Sequence, residues 1–204
     1  MAFVRCAFAS IALSLVACAL MATVHAQTLT GSTLVTALRR GGYVIVMRHA
    51  SSPRDAPDAS TANRDNTSRE RQLDAEGRAS STAMGESLRR LMIPVGEVFT
   101  SPTYRARETV RLLGVGMPTS VDELGDGGRS MQNATDAQSA WLQKIVRRVP
   151  TGNSLVVTHM PNIARAFPDI TNVSDGESLV FRPDGRGGTV LASRVKIEQW
   201  AELH

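Results

Sequence analysis

An α/β three-layer sandwich is the fold this chain predicts, with a mainly parallel central sheet and an antiparallel edge. Three observations carry it. Apolar, β-rich runs at Tyr43 to Met47 and Ser154 to Thr158 lack polar alternation, as strands covered on both faces do. Helical periodicity follows such a run each time, which is the signature of parallel strands joined by crossover helices. Last, Ser178 to Arg182 and Thr189 to Ile197 flank glycine-rich turn residues and read as a closing hairpin.

The elements follow in order. Thr30 to Arg40 reads as a short helix stopped by Gly41 and Gly42, and the strand Tyr43 to Met47 comes next. Ser51 to Arg71 is a long polar stretch of near-balanced charge, a length of loop that is either functional or disordered in compact domains. Asp74 can cap a helix from Ala75 to about Leu91, with Ala79, Ala83, Met84, Leu88 and Leu91 on its apolar face and Pro94 beyond its end. A strand at Glu97 to Thr100 leads to Ser101 and Pro102, read as a hydroxyl N-cap with proline at the first position of a helix running to Leu113. A short strand near Thr119 to Val121, a glycine-rich rim at Gly125 to Gly128 and a helix from Asp136 to Val149 precede the strand at Ser154. A helix from Pro161 to Phe167 repeats the alternation. No internal repeat or second domain is visible.

Composition narrows the function classes. The chain has 204 residues, 42% of them hydrophobic, enough for one domain with a sizeable core. Met1 to Ala26 has one charge, Arg5, then an apolar run from Ala7 to Leu20 and the small-residue ending Val24-His25-Ala26, the pattern of an export signal. The expected domains are therefore a signal peptide over 1–26 and a folded unit over 27–204, in a periplasmic or secreted protein. Leu15-Val16-Ala17-Cys18 offers the alternative of a lipoprotein anchored through Cys18, although the residues after Cys18 stay apolar where a lipoprotein turns polar. Both cysteines, Cys6 and Cys18, lie in that segment, so cleavage after Ala26 leaves no thiol for disulfides, catalysis or metal binding. Without Arg5, 22 basic side chains face 19 acidic ones, a balance that suits anionic small substrates and gives no footprint for nucleic acid.

The chemistry concentrates at strand ends. Arg48 and His49 follow the first strand, Arg105 stands in the first turn of the helix after Ser101, and His159 follows the strand that begins at Ser154. Ligands of open α/β sheets bind beyond the carboxyl ends of strands, where all four residues fall. A guanidinium fork matches phosphate oxygens and keeps its charge, and a neutral imidazole nitrogen can attack phosphorus and carry the phosphoryl group. No metal or cofactor is needed for such a route. The plain alternatives are structural histidines at strand ends and a solvated helix-start arginine. Arg107 and Arg111 point away by periodicity, Arg78 and the arginines from Arg64 to Arg71 can be substrate clamps or surface ion pairs, and Trp141 and Trp200 read as packing residues. Gly125 to Gly128 lacks the lysine and the strand-to-helix setting of a nucleotide loop.

Arg48-His49-Ala50, Ser101-Pro102 with Arg105, the segment Leu73-Asp74-Ala75-Glu76-Gly77-Arg78 and His159 together resemble the histidine phosphatase superfamily, of phosphoglycerate mutase-like fold, over Tyr43 to Lys196. The resemblance implies a small branch 1 member with His49 as phosphorylated nucleophile, Arg48 and Arg105 as phosphate ligands, and His159 stabilising the transferring group. Ala50 stands where the family has glycine, and Met160 replaces a frequent glycine after the second histidine, with no acidic residue following as in the phytase branch. The proton donor expected from the resemblance is Glu123, with Asp122, Asp126 and Glu177 as competitors. Glu177 equally reads as a solvent-facing residue before a strand. The function expected is an exported, metal-independent phosphatase of a small phosphomonoester. The alternatives are a phosphate-binding pseudoenzyme and a lipid-anchored phosphatase of a phosphorylated surface glycolipid. Mutase activity fits poorly.

Overall fold

The computed structural model describes residues 28–53, 70–126 and 134–204, so the expected export segment, most of the polar loop after Ser51 and part of the glycine-rich rim lie outside the described residues. Helix α1 (Gly31–Arg40) stops at Gly41, whose φ of 78° belongs to the left-handed region that glycine tolerates. Strand β1 (Val44–Arg48), helix α2 (Ala75–Arg90), strand β2 (Val95–Thr100), helix α3 (Tyr104–Leu113) and the two-residue strand β3 (Thr119–Ser120) follow. A 3-10 turn at Asp122–Leu124, helix α4 (Asp136–Ile145), strand β4 (Asn153–Thr158), helix α5 (Met160–Ala166), strands β5 (Ser178–Pro183) and β6 (Thr189–Val195), and a 3-10 segment at Ile197–Glu202 complete the chain.

The six strands form one sheet in the order β3-β2-β4-β1-β5-β6. The first four run parallel, while β5 pairs antiparallel with β1 and β6 with β5, which is the predicted parallel sheet with an antiparallel edge. One face packs Ile45, Met47, Leu155 and Val157 under α1, α2 and α3, with Trp200 fully buried in the same cluster. The other packs Val44, Val46 and Val156 under α4 and α5. Alternate residues of β1 and β4 thus feed opposite layers, which is why these strands read as continuous apolar runs.

Several local expectations are corrected. Ala79 and Ala83 are exposed, and Gly77, Ser81, Met84, Gly85 and Leu88 form the buried face of α2 instead. Small residues serve here because backbone meets backbone: a Cβ on Gly77 would stand 2.1 Å from the Ser51 carbonyl oxygen. Ser101 does not cap α3. Thr103 is its N-cap without a side-chain bond, and the Tyr104 amide donates instead to the carboxylate of Glu70. Helix α4 ends at Ile145, short of the predicted Val149.

Candidate active site

Register sets the site. Arg48 of β1 lies opposite Thr158 of β4, so His49 and His159 leave adjacent parallel strands side by side, their ring centroids 5.2 Å apart. On the other side of β4, Thr100 of β2 lies opposite Val157, which brings Ser101 alongside His159. Helix α3 is tied to the end of β1 through Thr109, whose hydroxyl accepts the Ala50 amide at 3.2 Å and donates to the Arg105 carbonyl at 2.8 Å. Arg105 therefore enters from above both histidines. The methyl of Ala50 is fully buried in this junction.

Protonation follows from the hydrogen bonds. His49 Nδ1 donates to the Ala50 carbonyl at 2.8 Å, and its Nε2 receives Arg105 Nε at 3.2 Å and Arg71 Nη2 at 3.3 Å. Two guanidinium donors on Nε2 require a lone pair there, so the nitrogen facing the pocket is unprotonated. Burial, then the charges of His159 and Arg105, hold His49 well below the ordinary histidine value. His159 is arranged in mirror fashion. Its Nδ1 accepts from Arg105 Nη2 at 3.1 Å, and its Nε2 donates to Ser101 Oγ at 2.8 Å. Burial and the arginines Arg105, Arg71 and Arg48 lower its pKa well below the ordinary value as well. Both rings are neutral near pH 7.

Three guanidinium groups converge. Arg48 is held from the loop before β5, with Nη1 on the Val173 carbonyl at 2.7 Å and Nη2 on Asp175 at 2.6 Å. Arg105, 5% exposed, spans His49, His159 and Asp126. Arg71, from the polar loop, is the third. Burial and the neighbouring Arg105 push it down to about 10, still charged at neutral pH, and its Nε is buried with no hydrogen-bond partner among the described residues. An orphaned buried donor beside an imidazole lone pair marks a place for an anion. Among the described residues no three His, Cys, Asp or Glu side chains converge in a way that could hold a metal ion.

Of the residues singled out from sequence, Arg48, His49, Arg105 and His159 come together. Glu123 does not: it is exposed on the turn Asp122–Leu124, and no hydrogen bond or ion pair joins it to the histidines or arginines of the pocket. Asp122 is exposed on the same turn. Glu177 is not solvent-facing but 3% exposed, with Oε2 accepting the Ser174 amide and Oε1 pairing with Arg194, so it shapes the loop that holds Arg48. Asp126 is the one of the four carboxylates that reaches the pocket, where it pairs with Arg105. Arg71 and Asp175 were not separable from surface charge in the sequence. Of the two sequence readings for the arginines from Arg64 to Arg71, substrate clamp or surface ion pair, the position of Arg71 beside His49 fits the first. Arg111 pairs with Glu108 on the surface, as its periodicity implied.

Comparison with known proteins bears on the fold. Residues 44–126 match the family model of the histidine phosphatase superfamily, branch 1. Among solved structures, the protein histidine phosphatase SixA complexed with tungstate is 20% identical, with a TM-score of 0.57 over 77% of this chain and 98% of that one. A mutant phosphoserine phosphatase from Entamoeba histolytica in complex with phosphoserine is 11% identical, with a TM-score of 0.56 over 76% of this chain and 98% of that one. The product of open reading frame Rv3214 from Mycobacterium tuberculosis is 14% identical, with a TM-score of 0.53 over 75% and 96%. At these identities the structures establish a common fold. No curated protein sequence matches significantly. The matched segment runs from β1 through Arg105 to Asp126 and is similar to the histidine phosphatase superfamily, branch 1, and the architecture around it shares the fold of these solved structures.

Proposed function

We propose that the protein is a metal-independent phosphatase that hydrolyses small phosphomonoesters through a phosphohistidine at His49. The observation that carries this reading is the unprotonated Nε2 of a buried, neutral His49 facing the guanidinium groups of Arg71 and Arg105. Arg48, Arg71 and Arg105 bind the phosphoryl oxygens and offset the charge that moves during transfer. His49 Nε2 attacks phosphorus, forming a P–N bond as the P–O bond to the leaving group breaks. Water then attacks phosphorus, the P–N bond breaks, and inorganic phosphate leaves. His159 accepts from Arg105 and so orients that guanidinium toward His49. Asp126, ion-paired with Arg105, is, rather than the exposed Glu123, the carboxylate near enough to take a proton from the attacking water, and a leaving group as acidic as para-nitrophenol departs without one.

Hydrolysis of para-nitrophenyl phosphate by the wild-type protein and its His49→Ala variant, between about pH 4 and 8, tests the reading. The substitution should remove turnover by at least about a thousandfold while the variant stays folded, and EDTA should leave the wild-type rate unchanged. An active His49→Ala protein overturns the covalent route, and loss of activity in EDTA overturns the metal-free one. Exposure of Glu123, the carboxylate expected as donor, gives the pseudoenzyme its one supporting observation; phosphate binding without turnover would be its signature. We further propose that the protein is exported to the periplasm or beyond. Mass spectrometry of the mature N-terminus distinguishes a start at Gln27 from a lipidated Cys18, and an intact Met1 would contradict export.

A further inference from the structure

Two of the three guanidinium nitrogens of Arg105, Nε and Nη2, are already engaged. Its Nε lies on His49 Nε2 at 3.2 Å, and its Nη2 meets both His159 Nδ1 and a carboxylate oxygen of Asp126. A phosphorus atom bonded to His49 Nε2 brings its oxygens within reach of Arg105 Nη2, the nitrogen that Asp126 occupies. Asp126 and a phosphoryl oxygen are therefore rivals for one guanidinium.

The backbone leading to Asp126 is pinned while its side chain keeps access to solvent. Leu124 O accepts Thr158 Oγ1 at 2.8 Å and Asn162 Nδ2 at 3.0 Å. Gly125 O accepts Asn162 Nδ2 at 2.8 Å and Gln138 Nε2 at 2.6 Å. Asn162 is fully buried, so this clamp on two successive carbonyls is rigid, whereas the Asp126 side chain is 16% exposed. The other acidic partner, Asp175, pairs with Arg48 from the same loop that gives Val173 O to Arg48 Nη1.

We propose that Asp126 is a resident anion, displaced from Arg105 by the incoming phosphoryl group and returning to expel inorganic phosphate. This deepens the phosphatase reading and rests on it. Three guanidinium groups against two carboxylates leave a pocket net charge of about +1 with neutral histidines, so an arriving dianion exchanges with a carboxylate instead of neutralising bare cations. The exchange limits product affinity. A pocket with Asp126 removed should hold inorganic phosphate longer, and product inhibition should deepen.

Calorimetric titration of the purified protein with inorganic phosphate tests this without any turnover. Asp126→Asn should bind phosphate on the order of tenfold more tightly than wild type, the scale of one charge-assisted hydrogen bond recovered by the ligand. Glu123→Gln removes the same charge three residues earlier without the Arg105 contact, and should change affinity less than about twofold. Equal or weaker binding by Asp126→Asn overturns the exchange, as does an equal gain in both variants, which would be long-range charge alone. If neither wild type nor Asp126→Asn binds phosphate, the phosphatase reading itself falls. Should Asp126→Asn fail to fold, a crystal structure of the wild-type phosphate complex decides: Asp126 withdrawn from Arg105 supports the proposal, and an intact pair refutes it.

Discussion

Arg71 is the residue whose importance only the assembled pocket reveals. In sequence it is one of several arginines in a charge-balanced stretch; in space its Nη2 sits 3.3 Å from Nε2 of His49. Arg71→Met keeps the length of the side chain and removes the fork. Its kcat/KM for para-nitrophenyl phosphate should fall on the order of a hundredfold, comparable to loss of one preorganised donor to a transition-state oxyanion. A change below about threefold in steady-state assays would return Arg71 to the class of surface charges. The other residue-scale correction is Ser101. Its hydroxyl stands two residues before the N-cap Thr103, where it accepts the Thr103 amide and also the Nε2 proton of His159, fixing the tautomer that leaves Nδ1 for Arg105. Sequence spacing cannot separate these two uses of a serine before proline.

Among the elements, α2 shows how packing overrides propensity. Glycine in a helix normally costs about 1 kcal/mol relative to alanine, so Gly77→Ala would be stabilising on propensity alone. Here the added Cβ meets the Ser51 carbonyl at 2.1 Å, and the stretch His49-Ala50-Ser51 that bears on it carries the proposed nucleophile. Gly77→Ala should therefore lose about 1 to 3 kcal/mol in urea unfolding, the range for overpacking a close contact. A more stable variant would show that the loop yields at little cost. The boundaries of α1, β1, β4 and β5 matched their sequence signals within a residue or two, because glycine stops and apolar runs are local properties. Helix α4 fell short, and α3 begins later than its Ser101-Pro102 signal, because Glu70, thirty-four residues earlier in sequence, supplies the acceptor for the Tyr104 amide.

For the whole molecule, burying two neutral histidines in one arginine-rich pocket couples stability to pH. His49 and His159 both have folded-state pKa values well below the ordinary 6.5, chiefly through burial. Below about pH 6.5 the unfolded chain binds protons that the folded chain refuses, so this stabilisation is complete above that pH and is lost as pH falls through the folded values. The thermal midpoint should decline from about pH 7 to pH 5, with a shallower slope in His159→Gln, which has one histidine fewer to protonate. A midpoint that is flat over that range would mean that these rings charge freely in the fold. Asp74 acts in the same direction at lower pH: burial raises its pKa, but hydrogen bonds from Ser51 and the Gly77 amide outweigh that and hold it below the usual value.

The sequence by itself determined the α/β class, the parallel core with its antiparallel edge, and four residues of the pocket. Each is written locally, as a continuous apolar run, a turn residue, or a charged side chain just past a strand end. That Arg48, His49, Arg105 and His159 meet follows from the general rule that parallel strands present their carboxyl ends together. Only the tertiary structure decided which carboxylate joins them. Glu123 and Asp126 lie three residues apart on one connection, and their sequence contexts are alike. The clamp from Asn162, Gln138 and Thr158 fixes the backbone so that Asp126 meets Arg105 while Glu123 faces water. Those three side chains come from α4, β4 and α5, and the direction a loop side chain takes is set by such distant partners, which no local pattern records.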